Sequence, residues 1–551
     1  MPRRFRALEI VRLVLSAGAL LAAFSRPAIA DDTAMEIRLL KARLKQLEEK
    51  VARQERQRKE AKAKEDSDKK KDDKKKDEEN KWSVSFKNGL FVEDGKEDFS
   101  FKLGGRIFVD GGGSTRVYGA DPLTYPAFWN AYFGLTGPAA LPLGPVIGGG
   151  YPGGFANHLA FRQARLEVEG KAFRYWNYKF QYEFTQGGVI PGFRDVFLAL
   201  RYFEPFTFQI GHMFEPSGLE RQNSSKYRDF LERAMASELL TGNRHLGLAV
   251  VTGGEAPGLH GIPNWTAKAG IFSTSYEDLN VTPLNAGRQY YDLVGRLTYA
   301  PIWSEEALLH LGGSMRYERV NDSTISSNDK ILAPGHTLRT EAGVVGESLL
   351  GTPALSCSAI PANTQTSPFV LAQRPGWNCT KDVLTSGAEL VASYGPLSVQ
   401  AEYFHQRYNR TPWLIAAFGA PGGATLDFSG YYVYATWYLT GESRAASYLT
   451  YPKEFNSPAT FGQINILDPL SKGGVGAFEL AARLSEINLN SAGILGGRET
   501  DFTLGLNWYP DKGFRFMANF VKTLQLSAPY DRPYLNAVRP SIFVLRAQVD
   551  W

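Results

Sequence analysis

The sequence predicts an all-β fold: a sixteen-stranded antiparallel transmembrane β-barrel, preceded by a short N-terminal coiled-coil helix and a charged linker. Three observations predict it. Ser541–Trp551 reads S-I-F-V-L-R-A-Q-V-D-W, with Phe543, Leu545, Ala547, Val549 and Trp551 on one face and Val544, Arg546, Gln548 and Asp550 on the other. A strand of this length crosses a tilted span with its apolar face toward lipid and its polar face inward. The same two-residue alternation recurs along the chain from about Phe99. Finally, an export signal opens the sequence, and no later stretch is long and apolar enough to be a membrane helix. Strands in lipid must close into a barrel, because an open sheet edge leaves backbone groups unpaired in hydrocarbon.

Arg3, Arg4, Arg6 and Arg12 form a basic start, Leu13–Phe24 a short apolar run, and Ala28-Ile29-Ala30 a small-x-small cleavage site. Residues 1–30 therefore read as a signal peptide, with the mature chain beginning near Asp31. Residues 31–59 read as a helix, in which Ile37, Leu40, Leu44, Leu47 and Val51 are spaced 3, 4, 3 and 4, an a/d seam flanked by Lys, Arg and Glu. Two heptads are short for an isolated coiled coil, and a lone charged amphipathic helix fits the same pattern. A trimeric barrel would hold three copies close and raise their effective concentration. Glu60–Lys81 is a run of Lys, Asp and Glu that cannot bury a core, so residues 60–98 read as a solvated linker and lead-in to the barrel.

The barrel proper is 99–551, with strands expected near 99–110, 159–170, 177–185, 194–203, 206–214, 245–252, 263–272, 290–300, 307–318, 384–394, 397–407, 430–440, 475–487, 499–509, 513–523 and 541–551. The count is even, as a single-chain bacterial barrel requires. Tight links at Glu204-Pro205, Tyr394-Gly395-Pro396 and Tyr509-Pro510-Asp511-Lys512-Gly513 belong to the periplasmic end, and long ones at about 111–158, 215–244, 319–383, 408–429 and 524–540 to the outside. The link 441–474 is long on the periplasmic side, which marks either an ordered turn or a miscounted strand.

About sixteen strands enclose an aqueous channel rather than a filled core. Its selectivity must be local, because residues 82–551 carry 39 Lys and Arg against 41 Asp and Glu. Phe214–Arg233 opens on a Pro/Gly turn and then alternates apolar residues and cations at roughly helical spacing. This suits a segment packed against the wall that presents Arg and Lys to the lumen; an external lid with solvated charges would read similarly.

Gly104-Gly105-Arg106, Phe161–Gly170, Tyr178–Phe184, Phe193–Leu198, Gln209–Glu220, Tyr438–Glu442 and Gly505–Pro510 together resemble the phosphate-selective porins O and P, in the same order and over nearly all of the chain after residue 99. The resemblance implies a trimeric barrel whose third external loop, here 215–244, folds inward as a basic constriction. It also accommodates the long link before the thirteenth strand. Strand parity and loop position then assign the anion pathway to Arg221, Lys226, Arg228 and Arg233 on the loop, with Arg106, Arg165 and Arg201 on nearby strands, opposed by Glu167, Glu169 and Asp195. Arginine suits oxyanions because its planar fork bonds two oxygens and keeps its charge.

No catalytic constellation, cofactor motif or zinc-ligand spacing stands out. The lysine-rich linker lacks the interleaved aromatics of a nucleic-acid surface and is interrupted by acids. The expected function is an outer-membrane porin of a Gram-negative bacterium for passive diffusion of small solutes, anion-preferring, toward phosphate or similar oxyanions. The expected partners are small anionic solutes in transit, the lipid and lipopolysaccharide of the outer membrane, two further copies of the chain, and peptidoglycan contacted through the N-terminal coil. The alternatives are a general or weakly cation-selective porin, and an envelope-tethering or adhesive barrel anchored through that coil. Cys357 and Cys379 share one external loop and meet an oxidising periplasm, so they are expected to pair. The bond should stabilise the loop by roughly 3 kcal/mol. Denaturing alkylation of protein extracted without reductant should find no thiol, and replacing both cysteines by Ser should leave barrel folding intact; free thiols in the wild-type protein would refute the pairing.

Overall fold

The computed structural model describes residues 82–86, 89–94, 98–115, 155–185, 192–255, 263–273, 291–319, 337–339, 341–342, 348–352, 355, 380–410, 424–450, 457–529, 536 and 539–551. The expected signal peptide and coil, the linker up to residue 81, and Cys357 and Cys379 lie outside these residues.

Sixteen long strands follow in chain order: β1 Ser100–Thr115, β2 Phe155–Ala172, β3 Trp176–Glu183, β4 Gly192–Phe203, β5 Phe206–Phe214, β6 Arg244–Gly254, β7 Trp265–Ser273, β8 Tyr291–Trp303, β9 Ala307–Arg319, β10 Thr380–Tyr394, β11 Leu397–Arg410, β12 Thr425–Tyr438, β13 Ala477–Ser491, β14 Ile494–Tyr509, β15 Phe514–Ser527 and β16 Ser541–Asp550. Each pairs antiparallel with the next. β16 returns to β1, with Ser541 opposite Thr115 and Asp550 opposite Arg106. The seam ends in a reciprocal pair, Gly105 N to Trp551 O at 3.0 Å and Trp551 N to Gly105 O at 3.1 Å. The sheet is a closed barrel, and every expected strand has its counterpart.

The alternation works as the pleat demands. Along β11, Ser398, Gln400, Glu402, Phe404, Gln406, Tyr408 and Arg410 are buried toward the lumen, while Leu397, Val399 and Tyr403 face outward and are exposed. Exposed apolar residues ring the outer surface on the other strands too, for example Leu198, Ile210, Leu248, Leu297, Leu504, Phe516 and Leu545. At the periplasmic rim Phe478, Trp508 and Phe516 stack in a row with ring centres 6.0 and 5.4 Å apart. Such aromatics mark a membrane interface.

Two features differ from the sequence reading. The links expected between strands 13 and 14 shrink to Ala492-Gly493, both at positive φ (45° and 92°), the geometry of a two-residue I′ hairpin. β13 and β14 simply continue above the apolar belt, where alternation gives no boundary. Residues 83–93, read as lead-in, form a hairpin of Ser83–Phe86 and Leu90–Glu93 whose second strand pairs with Leu103–Ser100 of β1. It covers the part of the β1 edge that extends beyond Trp551.

The core lies inside the barrel. Met235, Ala236 and Leu240, from the segment after β5, pack with Leu349, Leu350 and Leu355 from the segment after β9 against Phe404, Phe428 and Ile487 of the wall. Leu219 meets Ala445, Tyr448, Ala459 and Phe461 from the link after β12, against Leu308 and Val391. Leu231 seats on Met517, Val521, Ile542 and Val544. The lumen is thus filled along β9–β16. The described parts of the connection after β12, residues 439–450 and 457–476, turn inward, with Tyr448–Leu449 paired to Thr460–Phe461, and the strand count stands.

A Cβ on Gly105 would lie 2.6 Å from the Trp551 ring and 2.9 Å from the Arg165 carbonyl, so no side chain fits there without moving backbone. A Cβ on Gly111 meets the flexible tip of Leu159 at 3.1 Å and the His158 carbonyl at an ordinary 3.6 Å. Gly105→Val should sharply reduce the fraction of heat-modifiable folded barrel on semi-native electrophoresis, a cost of roughly 4 kcal/mol or more, whereas Gly111→Ala should run as wild type.

Candidate functional site

The loop after β5 crosses the inside of the barrel, and each step of its path is fixed by a wall residue. Glu215 is fully buried and sits 2.6 Å from Arg316 Nε, which donates to it, and 2.6 Å from His245 Nδ1. Gly218 turns the chain at φ 72°, where a Cβ would press on Phe404 at 2.9 Å. The first amides of the short helix α1 (Leu219–Gln222), those of Leu219 and Glu220, donate to the Glu402 carboxylate across the lumen at 2.6 and 2.9 Å. Ser224 caps a 3-10 turn at Ser225–Tyr227. Asp229 then accepts from Tyr434 OH at 2.6 Å and pairs with Arg444 at 2.9 Å. Glu232 takes both forks of Arg162, at 2.7 and 2.9 Å, and one nitrogen of Arg546 at 3.1 Å. Helix α2 (Met235–Leu240) leads back toward β6.

Arg221 closes the loop on itself. It donates to Thr241 Oγ1 at 2.7 Å, Ser237 O at 2.8 Å, Glu238 Oε2 at 3.3 Å and the Glu238 carbonyl. Two further segments brace the loop. Glu341 accepts from the Met235 amide at 3.0 Å and from Arg483 Nε at 2.9 Å. From the periplasmic turn, the Phe461 amide donates to Asn223 Oδ1 at 3.1 Å and Ser457 Oγ to Gln222 Oε1 at 3.0 Å, while Arg296 holds the Pro458 and Ala459 carbonyls at 2.9 and 3.0 Å.

What this packing leaves open is a cavity of about 400 Å³ between the loop and the wall of β1–β4. Among the described residues, eleven Lys and Arg line it against four carboxylates. All four carboxylates are engaged. Glu167 holds Arg106 at 2.9 Å and Lys226 at 2.8 Å, and Glu169 lies 3.3 Å from Lys102 and 3.5 Å from Lys179. Asp195 accepts from Arg244 at 2.7 Å, and Glu238 lies 3.0 Å from Arg233. Arg106 also donates to Ser225 Oγ at 2.8 Å, tying the loop to β1. Burial would raise Glu232, but Arg162 and Arg546 hold it below the usual carboxylate range. Desolvation also works against Glu238, but it is half exposed, and Arg221 and Arg233 hold it low. Burial first, and then Arg233, push Arg228 down to about 9, so it remains a cation at neutral pH.

Arg106, Arg165, Arg221, Lys226, Arg228 and Arg233 all line this cavity. Arg201 stands apart: it sits near the periplasmic end of β4, 3.9 Å from Glu204, because parity fixes the face of a strand residue but not its height. Sequence reasoning missed Arg162, Arg194, Arg244, Ser224 and Ser225, which line it too. Arg162 is the extra residue of a bulge, since Phe108 pairs with Gln163 and Val109 already with Phe161. A bulge turns a side chain inward out of phase and leaves no mark in the alternation. Elsewhere Glu215, His245 and Asp292 lie close enough to hold a metal ion. The Arg316 guanidinium already sits among them, 2.6 Å from Glu215 and 2.7 Å from Asp292, so the positive charge of that cluster is the protein's own.

A family model described as phosphate-selective porin O and P matches residues 154–352 and 379–551. Porin O of Pseudomonas aeruginosa is 25% identical over 458 residues, covering 80% of this chain and 86% of its own length. An uncharacterized protein of Caulobacter vibrioides is 22% identical over 363 residues, 65% of this chain and 61% of its own. Among solved structures, a loop-deleted OmpT of Vibrio cholerae superposes with a TM-score of 0.41 at 10% identity, covering 82% of this chain and 100% of that one. An anion-selective porin from Comamonas acidovorans gives 0.38 at 11% identity, with 82% and 100% covered.

Removing Arg221 should free the two arms of the loop. Arg221→Ala should keep the heat-modifiable barrel but make residues 215–243 susceptible to limited proteolysis, a local loss of roughly 3 kcal/mol. Single-channel records should become noisier with a higher mean conductance; an unchanged record would show that the loop is held without this residue.

Proposed function

The chain belongs to the phosphate-selective porin O and P family, and from that premise we propose that its cationic cavity is an anion-preferring passage for small solutes. It is a porin of a Gram-negative outer membrane and not an enzyme. The observation that carries the anion preference is the excess of seven positive charges lining one cavity in a barrel whose total charge is nearly balanced. At about 8 Å of Debye length, charges beyond the cavity are largely screened and those around it act together. Each of the four carboxylates there already neutralises a neighbouring cation, and Glu232 and Glu183 just outside the lining pair with Arg162 and Arg165, so eleven cations against six carboxylates leave a surplus of five to meet the solute. Arginines dominate the upper part, at Arg162, Arg194 and Arg228, whereas Lys102, Lys179 and Lys226 lie lower, beside Glu167 and Glu169. Arg162 gives its Nε and Nη2 to Glu232, so an entering anion meets the planar donors of Arg228 first and the compact lysine charges later.

The same reading includes a homotrimer in lipid and lipopolysaccharide, with the N-terminal coil reaching toward peptidoglycan. The wall itself supports association: β3, β5 and β7 have only 8, 9 and 9 residues. Strands tilted at about 45° need about 9–11 residues to cross; β3 falls just short and β5 and β7 only just reach, so this low stretch of wall gains by lying against a neighbouring barrel.

Planar-bilayer recording tests the reading. In a potassium chloride gradient the wild-type protein should give ohmic steps and reverse on the chloride side. Raising salt from 0.1 to 1 M shortens the Debye length from about 10 to about 3 Å, so the chloride preference should fall severalfold. Reversal on the potassium side would leave a general porin, and the absence of steps would leave the anchored, tethering barrel.

A further inference from the structure

We propose that Arg228 is the residue that discriminates oxyanions from halide in this channel, binding two oxygens of one solute through its guanidinium fork. This rests on the anion reading above and deepens it to a single side chain. Most of the cavity's cations have a settled carboxylate. Arg106 and Lys226 share Glu167, Arg162 is chelated by Glu232, Arg165 pairs with Glu183, and Arg244 pairs with Asp195. Arg221 is consumed inside the loop. Arg228 differs. It is 5% exposed, yet no described carboxylate lies within ion-pair distance, and its Nε and Nη1 have no acceptor on the protein. It lines the cavity and stands among Arg233, Arg546 and Arg162; its acidic neighbours are Glu232, committed to Arg162 and Arg546, and Glu220, which faces Arg483 and accepts from the Ala234 amide.

A buried cation without a partner is costly, by several kcal/mol in ordinary interiors. The fold keeps it here because the loop backbone on both sides is fixed, by the 3-10 turn before it and by Asp229 after it. The cost falls when an anion arrives, so the attraction acts on the solute and not on the resting fold. A guanidinium offers paired N–H groups in one plane, matched to phosphate, sulfate or carboxylate; a halide can use only part of that set. Lysine keeps the charge but loses the fork, which separates discrimination from simple attraction.

The experiment titrates inorganic phosphate, and separately sulfate, against a chloride current through single channels of the full-length protein, with folding checked by heat-modifiable electrophoresis. Wild type should be blocked at a defined half-block concentration. Arg228→Lys should keep the chloride reversal potential and raise the half-block concentration at least tenfold for both oxyanions, whereas Arg201→Lys, outside the cavity and 3.9 Å from Glu204, should shift it less than threefold. Arg228→Gln should lose the oxyanion block and part of the chloride preference, and carries the test if the Lys variant fails to fold. Half-block within twofold of wild type in Arg228→Lys, or in Arg228→Gln, overturns the assignment while a chloride-side wild-type reversal leaves the porin reading standing. A potassium-side wild-type reversal without oxyanion block overturns both, and is seen before any variant is made.

Discussion

In hydrocarbon every backbone N–H and C=O must find a partner within the protein, and this chain meets that demand at one seam. β16 closes on β1 from Ser541 to Trp551, and Gly105 is bare so that the last aromatic can lie across it. Closure dictates the rest. It divides each strand into a lipid face and a lumen face, and it encloses a space too wide for wall side chains to fill. That space is occupied from both ends, by loops after β5 and β9 and by the turn after β12. Segments brought inside have polar backbone of their own, and the wall supplies the acceptors and donors that satisfy it. Glu402 for the α1 amides, Glu341 for Met235 and Arg296 for the turn carbonyls are examples.

The filling is lopsided. Apolar contacts lock the inserted segments onto β9–β16, while the β1–β4 side meets the loop mainly through charges. Charged side chains keep water between them where apolar ones exclude it, so the passage stays on the charged side. The excess of cations in the cavity and the fold's packing asymmetry are therefore two views of one arrangement. Net charge of the chain could not have revealed it, because the acids that balance the barrel are elsewhere or already paired.

Much of this was legible in the sequence. Alternation found all sixteen strands, and the Pro/Gly opening with interleaved cations located the loop that crosses the lumen. It failed where geometry departs from strict period two. The bulge at Arg162 hid a cavity residue, and the tight Ala492-Gly493 turn was lost because β13 and β14 run on beyond the apolar belt, where Ile487, Leu489 and Ile494 point into the lumen and the outward positions Glu486, Asn488 and Asn490 are polar. Height along a strand was equally invisible, which is why Arg201 was placed with residues it does not join. Nor could spacing show which arginines are committed. Arg221 and Arg228 lie seven apart on one loop and look alike in sequence, yet one is bonded four times within the loop and the other has no acceptor on its Nε or Nη1.

Glu232 joins Arg162 of β2 to Arg546 of β16, and Arg546 in turn grips Asp110 of β1 at 2.7 Å through both nitrogens. The loop tip is therefore clamped over the same three strands that close the barrel. The cavity's charge and the barrel's integrity share these side chains, so a change that alters the upper cavity also loosens the closing strands. Lys102, Lys179 and Arg233 carry charge into the cavity without touching the seam, so a substitution there changes the cavity's charge without loosening the closure of the barrel.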